Sequence, residues 1–171
     1  GVAIAGDSLR YYKPTTWVYT YPLLNIPTAI LPPRILVNAL LVIPYKGRLL
    51  VLNTWEADNP AANSAVNYAQ RVRWSQNFIA TDVIDGWVDT IVGRGGYVDA
   101  PTGEQITACG FVKDVLIVYF ENSTWQLLYT GNELLPFQWQ RINSELGADA
   151  TFSSVLFDNG LMVVGNVGVH V

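Results

Sequence analysis

Apolar and polar positions alternate along this chain in short blocks, and three of the blocks share one layout. Residues 39–53 (ALLVIPYKGRLLVLN), 108–122 (ACGFVKDVLIVYFEN) and 153–167 (SSVLFDNGLMVVGNV) each set an apolar run, a polar turn and a second run rich in β-branched or aromatic residues. The turns are Lys46-Gly47, Lys113-Asp114 and Asp158-Asn159-Gly160. This layout predicts antiparallel hairpins. Both runs of the first hairpin are almost wholly apolar, which predicts strands covered on both faces. Asp114 and Asn159 stand 45 positions apart, a spacing typical of one four-stranded blade of a β-propeller. Gly47 and Asp114 are 67 apart, so the first unit carries an extra loop of about 22 residues if a blade takes about 45.

The same rules place the remaining elements. Residues 10–12 and 16–19 flank Lys13-Pro14-Thr15 as a short outer hairpin. The four prolines of 21–33 predict a connection laid over a surface. Residues 55–69, polar and rich in Asn and Ala, are predicted as a loop. Residues 71–75 (RVRWS) predict a third strand with Arg71 and Arg73 on one face and Val72 and Trp74 on the other. The extra loop falls in 76–96, closed by the glycine turn at Gly93-Arg94-Gly95-Gly96. Residues 97–103 then lead into four strands at 105–111, 115–121, 124–130 and 137–142. Residues 146–151 cross to 152–157, the first strand of a third unit.

The expected fold is therefore all-β, a partial β-propeller of two to three four-stranded blades within a longer chain. A β-sandwich would share the short strands and turns; the 45-residue period and the doubly covered strands favour the propeller. The expected divisions are 1–34 (outer hairpin and proline-rich connection), 35–104 (first blade with its long loop), 105–151 (second blade) and 152–171 (start of a third).

Composition adds a hint about surroundings. Only 14% of the 171 residues are charged, against about 25% in ordinary soluble domains. Much of the surface is thus expected to be covered by neighbouring subunits or further chain. A net charge of −4 gives no bulk attraction to a nucleic-acid backbone. The longest stretch free of charge and proline in the most apolar region, 35–43, already includes Asn38 and is about half of what a membrane-spanning helix needs, and the start lacks a signal-peptide pattern.

Segments 48–54 (RLLVLNT), 70–75 (QRVRWS), 99–103 (DAPTG), 106–108 (ITA) and 116–129 (LIVYFENSTWQLLY) occur in an informative order. Thr130-Gly131, Leu135-Pro136-Phe137, Ile142 and 152–155 (FSSV) follow them. In that order they resemble propeller segments of structural proteins in bacteriophage tails and necks, such as the nozzle and tail-tube-associated proteins of short-tailed phages. The resemblance runs from Ile35 to Val171. It implies a virion component that packs against other virion subunits, as a homo-oligomeric ring or a multi-protein assembly. It implies no catalytic residue and no cofactor.

Groups that could carry chemistry are few. His170 is the only histidine and Cys109 the only cysteine, which rules out a zinc site of ordinary composition. His170, next to last, is expected to fray, and Cys109 to be a small buried hydrophobe. Gly93–Gly96 lacks the following helix that a phosphate loop needs. Asp82, Asp85, Asp89 and Asp99 could form a glycosidase pair or hold Ca²⁺, but their spacing lacks the rhythm of a calcium loop. A solvated loop is the simpler expectation, with no metal site. Trp55 and Trp87 lie in polar segments and are expected at an interface, with burial in a core, or a glycan site if the molecule recognises a host-surface sugar, as the alternatives. Arg71 and Arg73 beside Trp74 are expected as an exposed or inter-subunit pair rather than a grip on single-stranded nucleic acid. The sequence thus predicts a non-enzymatic structural protein of a phage tail or neck, with a carbohydrate-binding propeller as the alternative.

Overall fold

In the computed structural model the described residues are 10–13, 16–19, 21–58, 65–78, 84–151, 153–157 and 160–171, with the backbone alone for 10–13, 16–19, 84 and 85. They are all-β, with a single 3-10 turn at Ile84–Trp87. Two compact units result, Gly1–Asp99 and Ala100–Val171.

In the first unit, β1 (Arg10–Lys13) and β2 (Thr16–Tyr19) form a two-stranded hairpin. Strands β3 (Ile35–Tyr45), β4 (Arg48–Ala57), β5 (Val66–Trp74) and β6 (Gly96–Asp99) form an antiparallel meander in sequence order. Lys46 and Gly47 join β3 to β4 with φ of 50° and 74°, the left-handed pair that a two-residue hairpin turn requires. In the second unit, β7 (Ile106–Val112), β8 (Val115–Phe120), β9 (Thr124–Tyr129) and β10 (Phe137–Asn143) repeat the meander. Strands β11 (Ser154–Phe157), β12 (Gly160–Gly165) and β13 (Gly168–His170) form a three-stranded version.

The three meanders share one register. The first hairpin of each closes at Tyr45↔Arg48, Val112↔Val115 and Phe157↔Gly160. Counting from the closing pair, each second strand carries Leu-x-Val: Leu49-Leu50-Val51, Leu116-Ile117-Val118 and Leu161-Met162-Val163. All three valines are buried. Alternation puts the Leu and Val of each motif on one face of the sheet and the central residue on the other.

Three sequence expectations need correction. Residues 55–69 are not one loop: β4 runs on to Ala57 and β5 starts at Val66, because Trp55, Val66 and Tyr68 extend the hairpin across the Asn- and Ala-rich stretch. Residues 97–99 belong to β6, the fourth strand of the first meander, rather than to a lead-in. The proline-rich connection is no mere surface strap, since Leu24 is fully buried. Its ends are zipped together: Leu24 N–H donates to Arg34 O at 2.8 Å and Leu36 N–H to Pro22 O at 3.0 Å. Asn25 holds the interior of the bend, accepting from Arg34 N–H and donating to Pro32 O.

In the second unit two sheets pack face to face. Ala108, Ile117 and Tyr119 of one sheet bury Leu161 and Val163 of the other, with Ala148 between them. Gly110 permits the approach: a Cβ there would fall 2.8 Å from a Leu161 methyl. The crossing at 146–151 is equally tight, for a Cβ on Gly147 would lie 2.3 Å from the Glu121 carbonyl oxygen. The other face of β7–β10 is aromatic. Phe120, Trp125 and Trp139 meet edge-on or tilted, with centroids 5.7–6.4 Å apart.

Candidate functional site

The densest polar cluster among the described residues lies in the first unit, on the face of the sheet that carries Val51. Arg73 is opposite Val51 on β5, and Arg71 follows two residues earlier on the same face. Both face β6, where Tyr97 pairs Arg73 and Asp99 pairs Arg71. Glu56 could not join them in a regular strand, because it is an odd number of residues beyond Val51. The register shifts between Leu52 and Thr54, with Asn53 in the left-handed region at φ 53°. This bulge reverses the alternation and turns Thr54 and Glu56 onto the arginine face.

The result is an alternating line of six charges: Asp99, Arg71, Glu56, Arg73, Asp89 and Arg34. Arg71 binds both oxygens of Asp99 at 2.8 and 2.9 Å and reaches Glu56 at 3.2 Å. Arg73 forks onto both oxygens of Glu56 at 3.0 Å and donates to Asp89 at 3.0 Å. Asp89 also accepts from Arg34. Thr54 Oγ1 donates to Glu56 at 3.1 Å. Three positive and three negative groups cancel, which a buried cluster requires because an unpaired charge would be very costly there. The Arg71 guanidinium lies between the rings of Tyr68 and Tyr97, 3.7 and 3.9 Å from their centroids. Burial alone would pull its pKa down; the hydrogen bonds it donates to Asp99 and the charges of Glu56 and Asp99 outweigh this and raise it above the ordinary value.

The line ties the sheet to its connections. Asp89, just past the 3-10 turn, donates its N–H to Leu24 O, and Arg34 ends the proline-rich bend. Arg48 donates to the Ser75 and Arg94 carbonyls and so clamps the start and end of the long loop. Gly95 sits against the backbone of that loop, where a Cβ would be 2.2 Å from the Trp87 carbonyl oxygen. Beside the charges, Leu24, Leu36, Val51 and Trp87 form an apolar cluster.

These placements revise the expected site. Arg73 is 0% and Arg71 6% exposed, so neither is the exposed pair that the sequence suggested. Charged residues default to the surface only when no counter-charge awaits them, and three carboxylates do here. Trp87 is also closed in, at 6% exposure, because the loop folds back over the sheet. Trp55 is half-buried against Ile35, Val37 and Ala57. Of the four aspartates, Asp89 and Asp99 serve as counter-ions to arginines; Asp82 and the Asp85 side chain lie outside the described residues. Glu56, Tyr68 and Tyr97 were missed, since the first two lay in a segment expected to be loop and the third in one expected to be a lead-in. A signal was available in Arg71-x-Arg73, whose paired cations on one strand face called for acids on the neighbouring strands.

In the second unit, His170 does not fray: it is on β13 opposite Val163, with both ring nitrogens buried and without a hydrogen-bond partner among the described residues. Cys109 is half-buried rather than enclosed as the sequence suggested; the burial it has, and that of Tyr119, pushes the thiol and the hydroxyl up to about 12 each. Among the described residues no three His, Cys, Asp or Glu gather to hold a metal ion, and no helix is long and apolar enough to cross a membrane. What the six-charge line offers chemically is rigidity, because each charge is already met by an opposite one. No protein-family model and no curated protein matches this chain.

Proposed function

We propose that this chain is a non-catalytic structural module of a bacteriophage tail or neck, built as consecutive β-propeller blades that hold neighbouring virion subunits. The observation that carries the reading is the recurrence of one meander in one register, with Leu-x-Val at the same place in β4, β8 and β12. Two of the meanders stack face to face as blades do. The segments that resemble phage tail and neck propellers fall on successive strands of those meanders: 48–54 on β4, 70–75 on β5, 116–129 on β8 and β9. The polar cluster supports a scaffold rather than a reaction centre, since its acids neutralise arginines and fix loops. Low charge content leaves surfaces suited to neighbouring subunits.

The test is localisation in the particle. Antibodies raised against the chain should decorate tails or necks of purified particles from its source, and disruption of its gene should leave filled heads without a finished tail. Particles that assemble and infect normally without the protein would defeat the proposal, as would its absence from purified virions.

A further inference from the structure

The third meander has one face that the first two lead one to expect covered. Its Leu161 and Val163 face packs on the neighbouring sheet, which buries both residues. The opposite face presents Val155, Phe157, Met162, Val164 and Val169, with no charged or polar side chain among them. Val155 and Phe157 are each 62% exposed, Val169 64% and Val164 49%. The positions equivalent to Met162 and Val164 are Leu50 and Leu52 in the first sheet and Ile117 and Tyr119 in the second, and all four are buried. In the second sheet they are buried by a Leu-x-Val pair: Ile117 and Tyr119 lie against Leu161 and Val163.

We infer that the Val155–Val169 face is a docking surface for a further antiparallel meander, which covers it with the Leu and Val of its own second strand. The occupant follows from continuity with the interface already present between β7–β10 and β11–β13. There the central-residue face of one sheet receives the Leu-x-Val face of the next, and the open face is the same face one repeat later. A sheet of this kind meets it without burying a charge, and alternate side chains interdigitate at the spacing that stacked sheets adopt, about 10 Å. The first meander of a second copy is a poor candidate, because its Leu49 and Val51 are already packed with Leu24, Leu36 and Trp87. An apolar face of this kind marks an interaction site rather than an ordinary surface. The inference rests on the stacked-blade part of the proposal above and not on the virion assignment.

The test uses Met162, the only methionine of the chain and a member of the open face. Its oxidation by peroxide to the sulfoxide adds one oxygen and is read by mass without any substitution. In the protein isolated in its natural assembly, oxidation should be on the order of tenfold slower than in the recombinant 171-residue chain, since a covered side chain reacts only when the structure opens. A photo-crosslinking residue introduced at Val164 in the natural assembly should then attach to a β-strand carrying Leu-x-Val within an antiparallel meander. Equal oxidation rates in the two settings would overturn the inference. So would a crosslink to a helix, to nucleic acid, or to the Val155–Val169 face of a second copy. A crosslink to a meander in a protein that is not part of a virion would uphold this inference while defeating the tail assignment.

Discussion

The first two meanders bury a valine at the same register position, Val51 and Val118, yet fill the space across the strand in opposite ways. Opposite Val51 stands Arg73, and next to it on the fourth strand is Tyr97. Opposite Val118 stands Trp125, and next to it is Arg141. Both sheets set a guanidinium against a ring there, with the order of the two exchanged. The first sheet extends the arginine into a line of ion pairs, the second extends the tryptophan into an aromatic cluster. Backbone register thus fixes where a large side chain is needed and leaves its chemistry open, provided a buried charge finds its partners.

Breaking the ionic side should have the largest effect. Glu56→Ala leaves Arg71 and Arg73 without their shared carboxylate, and a loss of about 3–5 kcal/mol is expected by chemical denaturation. Replacing the pair together, as Glu56→Leu with Arg73→Met, should be far milder than the sum of the single changes. Arg71 keeps Asp99 and Asp89 keeps Arg34, so a coupling of about 1–3 kcal/mol should appear in the double-mutant cycle. Additive losses would mean that the ions do not act as one network.

On the aromatic side, Trp125→Ala removes the ring that touches Phe120 and Trp139 and should cost about 3 kcal/mol. Trp125→Phe should lose less, because it leaves a smaller cavity, and chemical denaturation of the two variants would check it.

Alkaline pH should weaken the second unit. Cys109 and Tyr119 are held neutral by burial, with ordinary values of 9.0 and 10.0 raised to about 12. Their protonated forms favour the fold fully below the unfolded values, and that advantage is lost as pH rises from 9 towards 12. Each group then costs at most about 1.4 kcal/mol per pH unit over its range. Cys109→Ala should flatten the decline, as read by thermal melts from pH 8 to 11. The smallest effect is expected from Arg141→Ala, whose guanidinium lies 5.7 Å from the Trp125 ring at the surface; about 0.5–1 kcal/mol should be lost.

Strand order and the repeated hairpins were legible because each is a local pattern of apolar runs and turn residues. The strands of β7–β10 fall within a residue or two of where the pattern placed them. What the pattern hid was non-local. Glu56 reaches the arginines only because Asn53 bulges β4, and one reversed alternation cannot be read from polarity. Trp87 looked exposed because its neighbours are polar, yet the glycines that let its loop close are seen only when Gly95 meets its backbone. Arg71 and Arg73 looked like surface residues because their counter-ions are 15 or more positions away in sequence.

The most direct test of the stacked-meander account is a density map, at side-chain resolution, of the protein in its natural assembly. The account predicts that β11–β13 is flanked on the Met162 and Val164 side by a further antiparallel meander bearing Leu-x-Val, with the sheets arranged as blades about a common axis. A map in which β7–β10 and β11–β13 stand as an isolated pair, with solvent against Val155, Val164 and Val169, would contradict it.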